Sequence, residues 1–148
     1  MSASMRLTIL TTVILAMATT ASAQTEVLII WDDDGPDTLS LAAALQAAGM
    51  NPTLSDTDET LYDGTNPSLN GFDAVIHLNG TTYSAEMDTA GQDALVSFVQ
   101  IGGGYIHTEW SAYEFGNNHM QAMSDLMLFD RSGGATTTVT YNTVAGQE

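Results

Sequence analysis

Residues 26–49 read EVLIIWDDDGPDTLSLAAALQAAG, and this stretch decides the fold class. The run EVLIIW has the length and the β-branched content of a buried strand. The segment DTLSLAAALQAAG that follows has apolar residues at helical spacing, acidic residues at its start and Gly49 as a stop signal. A strand that leads directly into a helix is the repeating unit of parallel α/β proteins. We therefore expect a βα unit here.

Strand-length apolar runs and helical patterns continue to alternate after this unit. Strands are predicted in NPTLSD (51–56), FDAVIHLNG (72–80), GYIHTEW (104–110) and the β-branched ATTTVTYNTV (135–144). Helices are predicted in SAEMDTAGQDALVSFVQIGG (84–103) and NNHMQAMSDLMLF (117–129), and residues 56–71 read as a long polar loop. The pattern predicts a flavodoxin-like three-layer α/β sandwich with a mostly parallel sheet of about five strands.

The first 23 residues, 1–23, have the features of a secretory signal peptide. They contain the single base Arg6, an apolar run from Leu7 to Ala18 and small residues at Ala21 and Ala23. Threonines interrupt the run, which is shorter than the roughly 20 residues of a membrane span. We expect cleavage before Gln24, a single domain over 24–148, and a secreted or periplasmic protein that has no membrane attachment after cleavage.

The net charge of the chain restricts which classes of binding partner are expected. The 148 residues contain 18 acidic and two basic residues and no cysteine. Without the signal peptide the only base is Arg131, so the formal net charge becomes −17. A chain of this charge repels nucleic acid and anionic membrane surfaces, so neither is an expected partner. The lack of cysteine excludes disulfides, so packing or bound ions must hold the fold.

Three segments together resemble a known superfamily. VLIIWDDDGPDTLSLAAALQAAG (27–49), GFDAVIHLNG (71–80) and ALVSFVQIGGGYIHTEWSA (94–112) are similar to the class I glutamine amidotransferase-like superfamily, and within it to the ThuA-like (trehalose-utilisation) branch. The resemblance implies a strand-to-helix elbow that carries a cysteine nucleophile in amidotransferases, and Glu109 stands at that position. Without cysteine we expect no glutaminase activity. The family's later histidine and acid have no counterpart before Glu148, so we expect a domain shortened or incomplete at its C-terminus.

Candidate site residues follow the predicted strands. In open α/β sheets ligands bind beyond the carboxyl ends of the strands. We expect Glu109, Asp32 and Asp33 there as candidate acids or bases, since two carboxylates in different environments can divide those roles. The expected substrate-binding residues combine hydroxyl, amide and aromatic groups that suit a sugar: Asn79, Thr81, Thr108 and Trp110. Acids at the start of the first helix disfavour a phosphate ligand, so no nucleotide or flavin cofactor is expected.

Two metal sites remain open from the sequence. His77 and His107 each precede a polar residue by two positions, and with Glu109 they would form a two-histidine, one-carboxylate set if their strands are neighbours. The alternative is that both are hydrogen-bonded core histidines. The acidic loop DTDETLYDGTN (56–66) lacks the glycine spacing of an EF-hand, and a looser calcium site is the alternative to a solvated loop.

Two functions compete. The first is a secreted domain, not a glutaminase, that binds a carbohydrate or acts on it as a hydrolase-like enzyme. The second is a non-catalytic, calcium-dependent adhesion or assembly module on the same fold. Replacing Glu109 by glutamine abolishes turnover under the first and leaves binding and folding intact under the second. The sequence does not specify the oligomeric state.

Overall fold

The computed structural model describes residues 23–128, which form an α/β unit with a parallel four-stranded sheet. In chain order the elements are β1 (Glu26–Ile30), α1 (Pro36–Ala47), β2 (Asn51–Leu54), β3 (Ala74–His77), α2 (Thr89–Gln100), β4 (Gly104–His107), α3 (Glu109–Gly116) and a 3₁₀ turn (Gln121–Leu126). The predicted signal peptide lies outside the described residues apart from Ala23. The predicted last strand, 135–144, also lies outside them, so four of the five expected strands are observed.

The strands follow the order β2-β1-β3-β4, and every neighbouring pair is parallel. β1 is central, and its residues from Val27 to Ile30 are buried, as expected for an apolar run without alternation. Ile30, His77 and His107 share one register row across β1, β3 and β4. The carboxyl ends of these three strands therefore meet at one edge of the sheet, which we call the carboxyl edge.

Glycine stops end both long helices in the same way. After α1 the N–H of Met50 donates to the carbonyl of Leu45 at 3.1 Å, with Gly49 at a φ of 87°. After α2 the N–H of Gly103 donates to the carbonyl of Phe98 at 2.9 Å, with Gly102 at a φ of 105°. Both are Schellman motifs, which need a left-handed residue that glycine adopts without strain. The motif returns the chain sharply towards the next strand.

The main core lies on the sheet face covered by α2 and the 3₁₀ turn. Its buried side chains come from strands, helix, loop and turn alike: Leu28, Ile30, Tyr62, Val75, Met87, Leu95, Phe98, Met120, Met123 and Leu126. The other face is less completely covered, since Ile106 of β4 is 59% exposed. No helix within residues 23–128 is both long enough and apolar enough to cross a membrane.

The segment after β4 differs from the prediction. A helix was expected over 117–129, but α3 forms earlier, over Glu109–Gly116, and only a 3₁₀ turn follows within the described residues. Asn118 and Met120 adopt φ angles of 65° and 51°, and such left-handed residues cannot continue a right-handed helix. Residues 109–116 mix aromatic and polar residues, so their periodicity did not mark them as helical.

Candidate functional site

At the carboxyl edge the structure joins the ends of β1, β3 and β4. The Oδ2 atom of Asp32 accepts a hydrogen bond from the backbone N–H of Thr81 at 2.7 Å, and the Thr81 hydroxyl lies 3.3 Å from the same oxygen. Gly80 lies between this carboxylate and an indole ring. A Cβ added there would lie 3.0 Å from Asp32 Oδ2 and 3.8 Å from Cδ1 of Trp110. Asp32, Thr81 and Trp110 are thus brought together, as the sequence predicts.

Three aromatic rings pack beside this carboxylate, and we call Tyr83, Trp110 and Tyr113 the aromatic cluster. The ring centroids of Tyr83 and Trp110 are 5.1 Å apart, those of Trp110 and Tyr113 are 5.4 Å apart, and those of Tyr83 and Tyr113 are 6.1 Å apart. Tyr83 is 44% exposed, and the other two rings are partly exposed. The cluster therefore presents aromatic surface to solvent at the edge where α/β proteins bind ligands.

A cavity of about 170 Å³ lies next to Asp32, and three of its lining residues are acidic: it is lined by Asp32, Asp33, Gly35, Pro36, Asp37, Thr38 and Thr81. Asp33 has a structural contact here, since its Oδ1 atom accepts the N–H of Gly35 at 2.6 Å. Its backbone oxygen accepts the hydroxyl hydrogen of Thr38. These bonds shape the entry to α1 and set acidic groups at the helix N-terminus, where an anionic ligand would otherwise bind.

The predicted elbow is a strand that passes into a helix through one residue. β4 ends at His107, Thr108 is the N-cap, and α3 begins at Glu109. The Thr108 hydroxyl donates to the backbone oxygen of Asn79 at 2.6 Å and lies 3.1 Å from the backbone nitrogen of Asn79, so Thr108 ties β4 to β3. The side chain of Glu109 lies outside the described part of the structure, and its proximity to the aspartates stays a prediction.

A second polar group lies at the same edge but inside the protein, and we call Glu59, His77, Asn79 and Tyr105 the buried network. Glu59 and His77 are fully buried, and Asn79 is 2% exposed. The amide of Asn79 donates to Oε1 of Glu59 at 3.0 Å, and the hydroxyl of Thr82 donates to the same oxygen at 2.7 Å. The sequence placed Asn79 on the open edge as a ligand-binding residue, whereas its side chain is directed into the core by Glu59.

Both ring nitrogens of His77 have partners in the buried network. Burial, reinforced by the negative charge of Glu59, raises the pKa of Tyr105 far above its ordinary value. The Tyr105 hydroxyl lies within hydrogen-bond distance of Nδ1 of His77, 2.8 Å away. The other ring nitrogen of His77, Nε2, lies 3.3 Å from Oε2 of Glu59. A histidine satisfied on both sides is what a structural core position requires.

The two histidines lie where the predicted metal site requires them, but both ring nitrogens of His77 already have protein partners. His77 and His107 are register partners on neighbouring strands, as the prediction required. Both nitrogens of His77 contact protein groups, so a metal would have to displace Tyr105 or Glu59. His107 stacks on Tyr105 with centroids 5.8 Å apart, and its Nδ1 lies 2.9 Å from the backbone oxygen of Thr108. Within residues 23–128 no group of three or more His, Asp or Glu residues is arranged to hold a metal ion.

The acidic loop 56–66 uses its carboxylates mainly in turns. Oδ1 of Asp58 accepts the N–H and the hydroxyl hydrogen of Thr60, and Oδ1 of Asp63 does the same with Thr65. The hydrogen bonds from the side chain and then the backbone of Thr65 lower the pKa of Asp63. Glu59 is the exception, because its N–H donates to the carbonyl of Trp31 at 2.7 Å and its side chain enters the core.

Glu114 on α3 is another acidic residue that the sequence pattern did not mark as a candidate site residue. It is fully buried, and its Oε2 contacts Nδ1 of His119. Burial raises the pKa of Glu114, the contact with His119 opposes that rise, and the charges of Glu59 and Glu86 add to it. Glu114 lies three residues after the buried Ser111 on the same helix, and residues at this spacing lie on one helix face. This spacing is a weak signal in the sequence that both side chains face inward.

A second cavity, of about 340 Å³, lies away from the carboxyl edge. It is lined by the end of the loop and the second half of α2: Gly64, Leu69, Phe72, Ala94, Phe98 and Ile101. Since α2 runs antiparallel to the strands, this cavity lies towards their amino ends. It is mostly apolar and lacks titratable groups, so the smaller cavity at the carboxyl edge is the better candidate site.

Comparison of the chain with family models, with curated proteins and with solved structures gave no match. The geometry of the carboxyl edge is therefore the basis for assigning a function to the chain.

Proposed function

We propose that this chain is a secreted or periplasmic domain that binds a neutral carbohydrate at its carboxyl edge. The observation that carries the proposal is the partly exposed aromatic cluster of Tyr83, Trp110 and Tyr113 beside the Asp32–Thr81 pair. Aromatic faces stack on the C–H faces of sugar rings, while carboxylate and hydroxyl oxygens accept hydrogen bonds from sugar hydroxyls. The cluster and the pair supply both kinds of contact side by side.

Electrostatics favour a neutral or cationic ligand over an anionic one. The residues from 23 to 128 contain neither lysine nor arginine. The cavity next to the cluster is lined by Asp32, Asp33 and Asp37, so phosphate or carboxylate groups would be repelled there. A neutral sugar has hydroxyl donors for these acceptors and carries no charge to be repelled.

The architecture supports the finer fold proposal as well. The order β2-β1-β3-β4 agrees with the first four strands of the flavodoxin-like order 2-1-3-4-5. We propose a flavodoxin-like three-layer sandwich of the class I glutamine amidotransferase-like, ThuA-like kind, with Glu109 at the elbow in place of cysteine. Thr108 as the N-cap and Glu109 as the first residue of α3 are compatible with such an elbow.

Hydrolysis would need two carboxylates with divided roles. Asp32 is the candidate that follows β1, because its carboxylate is the one directed to Thr81, whereas that of Asp33 closes its own turn. Glu109 is the candidate partner at the elbow. One carboxyl would donate a proton to the leaving oxygen and the other would activate water. Glu109→Gln abolishes turnover and retains sugar binding if this proposal is correct.

Fluorescence provides the binding test, because the chain contains only two tryptophans, Trp31 and Trp110. In a Trp31→Phe variant the emission reports Trp110 alone. We expect a saturable change with one or more of glucose, trehalose, maltose and cellobiose, and none with glucose 6-phosphate. Trp110→Ala, followed by calorimetry, should weaken binding about fivefold to tenfold, since stacking on one ring contributes about 1–1.5 kcal/mol.

A matched control separates stacking from general loss of apolar surface. Leu61 is 64% exposed and lies in the loop, outside the aromatic cluster. Leu61→Ala should leave the affinity unchanged. Absence of binding to every sugar, or equal weakening by Trp110→Ala and Leu61→Ala, would remove the support for the carbohydrate proposal. The calcium-dependent adhesion module would then be the better hypothesis, and calcium-dependent self-association would be its test.

A further inference from the structure

The space over Gly80, between the side chains of Asp32 and Trp110, is open, and we call it the Gly80 opening. A Cβ added to Gly80 would meet Oδ2 of Asp32 at 3.0 Å and Cδ1 of Trp110 at 3.8 Å, and no other described atom beyond its chain neighbours within 4 Å. The φ angle of Gly80 lies outside the left-handed region, so the backbone does not require glycine here. The missing side chain therefore leaves space between one carboxylate and one aromatic ring.

Asp32 can bind a positively charged group at this opening. Residues 23–128 contain neither lysine nor arginine, and no ion pair among these residues involves Asp32. The hydrogen bonds that the Asp32 carboxylate accepts from described residues come from Thr81, and both reach Oδ2. Oδ1 is therefore available to accept from a ligand. Asp33 and Asp37 line the adjoining cavity and add negative charge beside it.

The aromatic cluster does not enclose a cation between its rings. The centroids of Tyr83, Trp110 and Tyr113 are 5.1–6.1 Å apart, which is the separation of rings in direct contact. A quaternary ammonium group needs room between such rings and finds none here. The cluster offers its outer surface instead, which suits the C–H face of a sugar ring. A cation at Asp32 is therefore best placed as a substituent of that ring.

We propose that the carboxyl edge binds sugars with a protonated amine, the 2-amino-2-deoxyhexoses, more tightly than their neutral counterparts. This inference rests on the proposed carbohydrate function. The sugar ring stacks on Trp110, and its ammonium group lies over Gly80 and donates to Asp32. The two side chains border the same opening, and the amine is attached directly to the ring, so one sugar unit reaches both. A charge-assisted hydrogen bond is about twice as strong as the neutral bond that a hydroxyl makes.

Calorimetry of the full chain with a matched pair of sugars tests this preference. Glucosamine differs from glucose by an amine in place of one hydroxyl, and an aliphatic amine is protonated at about pH 6. In about 150 mM salt, which screens distant charges, we expect glucosamine to bind about tenfold more tightly than glucose. Asp32→Asn keeps an acceptor for Thr81 and should remove this difference. Gly80→Ala fills the opening and should weaken glucosamine binding about tenfold.

Two controls separate the Gly80 opening from general attraction to an acidic surface. Asp34 is exposed and does not line the cavity, so Asp34→Asn removes the same charge and should leave the difference intact. Ethanolamine carries an amine without a sugar ring and should bind at least about tenfold more weakly than glucosamine. A difference that persists in Asp32→Asn, or ethanolamine binding as tight as glucosamine binding, would overturn the proposal.

Failure of this inference and failure of the carbohydrate function give different results. Equal affinities for glucose and glucosamine in the unmodified chain would overturn the preference for an amine and leave the carbohydrate proposal in place. Absence of binding to both sugars would overturn the carbohydrate proposal and the inference with it. Since this comparison uses the unmodified chain, it decides the matter even if Asp32→Asn does not fold.

Discussion

The buried network and the aromatic cluster lie at the same edge of one sheet and differ in where their polar groups find partners. In the buried network Glu59 accepts hydrogen bonds from Asn79 and Thr82 and contacts a ring nitrogen of His77, so all its partners are supplied by the protein. At the aromatic cluster, Asp32 contacts only the adjacent Thr81 among its described hydrogen bonds, and Tyr83 is 44% exposed. Burial thus separates side chains that maintain the fold from side chains that remain accessible to a ligand.

The largest effect on stability is expected at Glu59. Glu59→Ala leaves the donors of His77, Asn79 and Thr82 unpaired inside the protein, and we expect it to lower the free energy of unfolding by about 3–5 kcal/mol. Urea denaturation followed by circular dichroism measures this change. Asp93→Ala, at an exposed position on α2, should change it by no more than about 0.5 kcal/mol. Equal losses in the two variants would contradict a structural role for the network.

A second large effect tests the loop that carries Glu59. A Cβ at Gly91 of α2 would lie 2.1 Å from the carbonyl oxygen of Tyr62 in that loop. Gly91→Ala must displace the loop backbone, and we expect a loss of about 1–3 kcal/mol despite the better helix propensity of alanine. Ser97→Ala, at an exposed position of the same helix, is the control and should be nearly neutral. A stabilised Gly91→Ala variant would show that the loop is not packed on α2.

The pH dependence of stability should reveal Glu114. Burial raises its pKa above the ordinary 4.5, so the folded state favours the protonated form. The contribution of Glu114 is therefore fully present below pH 4.5 and is lost as the pH rises through the raised value. Glu114→Gln should remove this decline and be the more stable form at neutral pH. An unchanged profile in urea melts at several pH values would rule out a raised pKa at Glu114.

The smallest effect on stability is expected at the aromatic cluster. Tyr83→Ala removes a ring that is 44% exposed, so the free energy of unfolding should fall by less than about 1 kcal/mol. The same change should weaken carbohydrate binding severalfold. A large loss of stability would instead show that the cluster is part of the core, and the contrast between the two regions would disappear.

The pattern of apolar residues in the sequence was sufficient to predict the strands of the described sheet. Apolar runs predicted the four observed strands, and Gly49 and Gly102 predicted the helix stops because only a left-handed residue closes them. The helix over residues 109–116 was not predicted, since its aromatic and polar residues lack a clear apolar stripe. The helix expected after residue 117 was wrong because Asn118 and Met120 adopt left-handed backbone angles, which local propensity does not reveal.

The site was less predictable than the fold. Asp32, Thr81 and Trp110 were expected at the carboxyl edge because the ends of parallel strands meet there. Asn79 was expected beside them but is buried, because Glu59 accepts from its amide. Glu59 itself lies in a polar loop with three other acids, Asp56, Asp58 and Asp63, and no periodicity distinguishes it from them. Which loop residue turns inward depends on tertiary contacts with Trp31 and His77.

The most direct test of this account compares one hydroxyl in the buried network with one ring in the aromatic cluster. Calorimetry with the best-binding neutral sugar would be performed on the unmodified chain, Tyr105→Phe and Tyr83→Ala. We expect Tyr105→Phe to bind with unchanged affinity, although its unfolding free energy falls by about 1 kcal/mol, while Tyr83→Ala binds about fivefold to tenfold more weakly. Unchanged affinity in Tyr83→Ala together with weakened binding in Tyr105→Phe would contradict the account.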